Sequence, residues 1–175
     1  MTQSQTIPFL PMLALSVRQP WAWAIIHAGK DIENRDWQPH NPGLKVRGRI
    51  AIHASKGLGR DEYEDARDFI DETIVGTCPE ARHLARACII GSVEVVNVVT
   101  KSSSPWFFGL RGLVLRNPEP CEPIPCIGQL GFWNWQVASL ELPQPLPWML
   151  PKTAKPPRIK PEPSPGTDLF TREKP

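Results

Sequence analysis

The sequence predicts an α+β fold, a small curled β-sheet or barrel closed by helices. Three observations carry this. Six short segments read as strands, separated by turn residues at irregular intervals. The helical patterns fall early in the chain instead of alternating with the strands, which argues against a βαβ succession. Two of the strand signals, 32–37 and 48–54, alternate along the chain, as expected for strands whose residues point to opposite faces of a sheet.

The elements follow in order. Residues 1–12 read as a lead-in. Leu13 to Val17 is a short strand. A helix follows, with Pro20 in its first turn, where a missing N–H costs nothing, and Gly29 as its stop. Trp21, Ala24, Ile25 and Ala28 share its core face, while Trp23 and His27 lie elsewhere on it. Ile32 to Trp37 alternates, with Glu33, Arg35 and Trp37 on one side and Ile32, Asn34 and Asp36 on the other. His40-Asn41-Pro42-Gly43 is a turn cluster. Gly48 to Ala54 alternates again. Asp61 to Glu72 is an amphipathic helix with Tyr63, Ala66, Phe69 and Ile70 as its stripe, and a second short helix is expected from Pro79 to Arg86. Ala87 to Val99 is the strongest strand, with Gly91 marking a bend or a close backbone approach. Gly112 to Arg116, ended by Asn117-Pro118, and Gly131 to Val137 complete the set. The domain is placed at 13–142. Residues 143–175 form a proline-rich basic tail with ten prolines, in which Trp148, Met149 and Leu150 can still dock; beyond about Pro151 extended, disordered chain is expected.

At 175 residues the chain is long enough for one domain with a sizeable core. Its net charge of +2 is segregated: residues 18–60 carry +5, and residues 61–72 carry −6. Basic residues therefore gather around the first helix, which suits an anionic ligand, and the acidic block reads as a solvated helix face. The 4 cysteines lack zinc-type spacing and read as free thiols, so no metal is expected. The N-terminus has no charged leader and no apolar run approaches membrane-spanning length, so a cytoplasmic protein is expected.

The polar residues of Leu15 to Trp37 are the main functional candidates. Ser16 and Gln19 flank the first helix, where either can cap it or meet an anion. Lys30 sits at the helix-to-strand junction. Glu33 and Arg35 share a strand face with it nearby, a cation–carboxylate set able to bind phosphate and hydrogen-bond a base edge, or to support acid–base chemistry. The next strand ends in His53-Ala54-Ser55-Lys56; Lys56 reads as a phosphate contact and His53 as a structural histidine. Ser104 to Gly109 is an aromatic loop in which Trp106 or Phe107 can stack on a base.

Taken together, these segments resemble the ASCH domain, of the PUA-like superfamily. The resemblance runs from about Leu13 to Gln136 and rests on LSVRQPWA, AGKDIENRDW, GRIAIHASK, ACIIGSVEVV, SPWFFG and PIPCIGQLGFWNW in that order. It is closest to the bacterial and phage type, which also resembles the ASCH domain of the eukaryotic transcription coactivator. It implies a PUA-like small β-barrel with flanking helices and a cleft beside the first helix. Lys30, Glu33 and Arg35 correspond to the family's charged signature, and Ser16, Gln19 and Trp21 to its first-helix segment. Relatives that hydrolyse N4-acetylcytidine use a Lys, a Thr and a Glu; Lys30 matches that Lys, and Glu33 stands at the Thr position.

The expected function is therefore binding of RNA or a nucleotide-like ligand, with DNA also possible, through Ser16, Gln19, Trp21, Lys30, Glu33, Arg35, Lys56, Trp106 and Phe107. No cofactor is implied. One alternative is a nucleic-acid-directed hydrolase, a ribonuclease or a modified-nucleoside amidohydrolase, with Lys30 and Glu33 catalytic. The other is an adaptor that meets a protein partner through the tail.

Overall fold

The computed structural model describes residues 10–151. Six strands are present: β1 (Leu13–Val17), β2 (Ile32–Asn34), β3 (Gly48–Ala54), β4 (Cys88–Val99), β5 (Gly112–Pro125) and β6 (Phe132–Asn134). Two helices accompany them, α1 (Trp21–His27) and α2 (Arg60–Thr73). The strands form one sheet in the order β2-β5-β4-β3-β1-β6. β1 and β3 run parallel, and every other pair is antiparallel.

The sheet curls until its two edges approach each other. Trp37, just past β2, has its ring 5.8 Å from that of Phe132 on β6. Arg35 reaches the backbone of β1. Among the described residues no ladder joins β2 to β6, so the expected small barrel is an open half-barrel, sealed by side chains. Each edge strand is only three residues long, too short to continue the pairing.

α1 plugs the concave side. Ala22, Ile25 and Ile26 pack with Leu15, Ile50, Ile52, Val93 and Leu113 of the sheet. Ala24 faces a second cluster with Ile32, Tyr63, Ile70, Trp106 and Met149. The helix is thus buried on two sides, wider than the single stripe its pattern suggested. Pro20 stands immediately before it, not within its first turn, and Gly29 leaves it in the left-handed conformation with φ +69°. Met149 and Trp148 dock against α2, the Trp148 ring lying 5.9 Å from that of Tyr63, while Leu150 is exposed.

Two elements differ from expectation. β5 runs past Asn117-Pro118 to Pro125. Asn117 takes φ +50° at a register shift against β4, a bulge that absorbs the break. Beyond Leu115, whose N–H still donates to Asp31 O at 2.8 Å, the strand is paired on its β4 side alone, so its prolines forfeit no ladder bond on the open edge. The helix expected over 79–86 is only a 3-10 turn at Ala81–His83. Its carbonyls are drawn outward instead, Pro79 O by the Tyr63 hydroxyl and Ala85 O by Gln19. At Gly91 the expected close approach is present, since a Cβ there would lie 2.9 Å from Ile26 Cδ1. Among the described residues no helix is long and apolar enough to cross a membrane. The expectations for residues 1–9 and for the tail past 151 lie outside the described residues.

Candidate ligand site

The turn at Gly29 sends Lys30 back under α1. There it is only 3 % exposed. Its Nζ donates to the Ile32 carbonyl and lies 3.0 Å from Glu33 Oε2, with the Trp21 ring centroid 5.9 Å away. Glu33 Oε1 lies 3.1 Å from Arg35 Nη2. That nitrogen donates to the Ser16 carbonyl at 2.8 Å, and the guanidinium covers Trp37 at 5.3 Å. The three charged residues do share a face, as the strand period requires, but the face points inward. The result is a largely buried ion-pair chain in which Lys30 Nζ and Arg35 Nη2 are taken up by protein groups, while Arg35 Nε has no hydrogen-bond partner among the described residues. Such a chain is costly to break: removing one partner typically loses about 3–5 kcal/mol.

Gln19 is also turned inward. Its Nε2 donates to Ala85 O at 2.7 Å, and its Oε1 accepts the Trp23 N–H at 3.0 Å. Trp21 packs against Phe69 and Phe108, at 5.8 and 6.1 Å between centroids. Trp106 is buried with its edge toward Phe69, and Asn34 Nδ2 donates to its carbonyl at 2.8 Å. Phe107 is half-buried in the same cluster. None of these residues lines the cavity that opens at the ends of β1 and β3.

That cavity has a volume of about 670 Å³ and is bounded by Ser16, His53, Ser55 and Lys56 on one side. Residues 126–130, with Leu140, Glu141 and Pro143, form the other. Ser16 and His53 are direct partners in the parallel register of β1 and β3, so their side chains stand on the same face. Ser16 Oγ lies 3.0 Å from His53 Nδ1 and accepts a hydrogen bond from Trp133 Nε1 at 3.2 Å. His53 is 2 % exposed, and its Nε2 has no hydrogen-bond partner among the described residues. Burial lowers its pKa from the ordinary 6.5, opposed in part by the Cys126 backbone, so the ring is held neutral. The Trp133 ring stands edge-on at 5.5 Å. Lys56 is exposed at the mouth, its carbonyl held by Arg86 at 2.8 Å. Ile127, Leu130 and Leu140 add exposed apolar surface, Leu130 at 98 %.

The cavity therefore contains two of the sequence-derived candidates, Ser16 and Lys56, and one residue that sequence reasoning set aside, His53. The available signal was the polar ending of the Gly48–Lys56 strand. What was missing was the partner, since Ser16 lies 37 positions away. Among the described residues no group of three or more His, Cys, Asp or Glu is placed to hold a metal ion. The four cysteines are free. Burial pushes Cys78 and Cys88 up to about 12 and Cys126 up to about 11, so these thiols stay protonated.

The family model described as the ASCH domain matches residues 15–107, more than half of the chain. The ASCH family belongs to the PUA-like superfamily. The match includes Ser16, the Lys30–Glu33–Arg35 chain, His53 and Lys56, and ends before the 126–130 wall of the cavity. No curated protein matches the sequence.

Proposed function

This chain belongs to the ASCH domain family, and from that premise we propose that it binds RNA or a nucleotide-like ligand in the cavity at the ends of β1 and β3. The observation that carries this reading is the cavity itself. Its 670 Å³ falls in the range of small-molecule sites, mostly apolar walls surround a few convergent polar groups, and Lys56 stands at its mouth. A base would lie between the Ser16 floor and the apolar 127–130 segment, with its phosphate at Lys56. Arg18, exposed although paired with Glu62 at 2.6 Å, extends the basic surface on the neighbouring loop. In this reading Lys30, Glu33 and Arg35 act from beneath, by holding the end of β1, and Gln19 fixes the start of α1.

The test is a thermal-shift and fluorescence-anisotropy screen of nucleotides, nucleosides and short single-stranded RNAs against the full chain. Hits are expected to stabilise the protein and to weaken as salt rises, because a phosphate contact releases counterions. A folded protein that binds no member of the screen at low salt would defeat the reading.

A further inference from the structure

Ligand binding needs Ser16 and His53 only as polar wall, yet their geometry offers more. Ser16 is half-buried and lines the cavity, and the imidazole stands 3.0 Å from its hydroxyl through Nδ1. The ring is locked in place: a Cβ on Gly128 would overlap it, 2.8 Å from Nδ1, and Trp133 closes its side. Both polar neighbours of the Ser16 hydroxyl lie within hydrogen-bond distance. Trp133 Nε1–H donates to Ser16 Oγ, and the hydroxyl keeps its own proton, which it can donate to Nδ1 in the tautomer that carries the ring proton on the other nitrogen. In that tautomer the ring proton is on Nε2, which has no hydrogen-bond partner among the described residues. A neutral imidazole whose accepting nitrogen faces a cavity-lining hydroxyl is the arrangement of an activated nucleophile.

We propose that Ser16 and His53 form a nucleophile–base pair that hydrolyses a carboxylic ester held in this cavity. The acyl group lies against Ile127, Leu130 and Leu140, and an anionic group on the alcohol side meets Lys56. Ser16 Oγ attacks the carbonyl carbon as its proton passes to His53 Nδ1. The bond from that carbon to the alcohol oxygen breaks, and His53 returns the proton to the departing oxygen, leaving the acyl group on Ser16. Water then attacks the acyl carbon and gives a proton to His53. The bond to Ser16 Oγ breaks, the carboxylic acid leaves, and Oγ recovers its proton. The Trp133 N–H steadies the negative charge on Oγ during both exchanges. Gly128 and Gln129, whose N–H groups donate no hydrogen bond among the described residues, line the same cavity and supply donors for the carbonyl oxygen. The activity shares the cavity with the ligand reading above but does not require a nucleotide.

The experiment treats the full chain with a fluorophosphonate probe, and separately with p-nitrophenyl acetate and butyrate. One probe adduct is expected, mapped to Ser16, with ester turnover above the protein-free rate. Ser16→Ala abolishes both, and His53→Gln lowers turnover by about 100-fold. Thermal melting of each variant shows that it is folded. Should Ser16→Ala fail to fold, loss of wild-type turnover on probe labelling at Ser16 answers the same question. A folded wild type with neither adduct nor turnover overturns the proposal, as does turnover that survives in Ser16→Ala. RNA and nucleotide binding, measured on the same samples, separates the two readings: labelled Ser16 without nucleotide binding keeps the esterase and rejects the ligand reading.

Discussion

Arg35 Nη2 donates to the carbonyl oxygen of Ser16 at 2.8 Å, at the point on β1 where pairing with β6 has ended. One backbone group thus completes the buried chain Lys30–Glu33–Arg35, and the side chain of the same residue faces the cavity. The charged motif serves as a brace for the site's central hydroxyl. It also ties β2 to β1 across the open seam, where the half-barrel has no ladder.

The brace predicts a large stability loss from small changes. Lys30→Met leaves Glu33 buried with Arg35 as its one remaining cation. A loss of about 3 kcal/mol or more in denaturant unfolding is expected, because a buried charge is left short of a partner. Exposed ion pairs such as Arg67–Asp68 are worth far less, and Arg67→Ala should change stability by under about 1 kcal/mol. Equal effects for the two variants would show that the chain bears no special load.

Gly128→Ala tests the lock on His53. The added methyl collides with the imidazole, so the ring or the 126–130 loop must move. A stability loss of about 1–3 kcal/mol is expected from overpacking, together with weaker ligand binding. Gly57→Ala is the control, since its Cβ would meet only the far end of Arg18, at 3.6 Å. Unchanged ligand affinity in a folded Gly128→Ala variant would mean that the ring's position does not matter.

Which parts of this were legible in the sequence follows from the range of each interaction. β3 was readable at both ends because period-2 alternation and Gly48 are local signals. The common face of Glu33 and Arg35 was readable for the same reason. Alternation does not say which face is buried, so the inward turn of the motif was hidden. β5 was cut short because a bulge and a one-sided ladder, both tertiary facts, let its prolines stay in the strand. His53 looked like a lone histidine because its partner sits on a parallel strand, reached through a crossover, and no spacing rule connects the two.

Lys56→Ala should leave stability unchanged, because the side chain is exposed and the Arg86 bond is to its backbone carbonyl. Binding of an anionic ligand should weaken several-fold. The slope of log affinity against log salt should fall by about one, the signature of one lost phosphate contact. Anisotropy titrations at three salt concentrations measure both. An unchanged slope would remove Lys56 from the ligand's path.

The last prediction concerns pH. The folded state holds His53 below its ordinary 6.5 because burial disfavours the charged ring. The unfolded chain therefore binds a proton first as pH falls. Stability should be full above about pH 6.5 and should decline as pH drops through the folded value, since the slope follows the difference in bound protons. His27, also lowered by partial burial, adds a change of the same sign. Cys126, Lys56 and Glu141 are the other ionisable groups on the cavity wall, and the Cys126 thiol, raised to about 11, stays neutral throughout. Denaturant unfolding of the wild type and His53→Gln between pH 5 and 8 isolates the effect. The variant should lose most of the acid-side decline relative to its own stability at pH 8. An identical decline in both proteins would assign it to other groups and would show that burial does not hold His53 below its ordinary value.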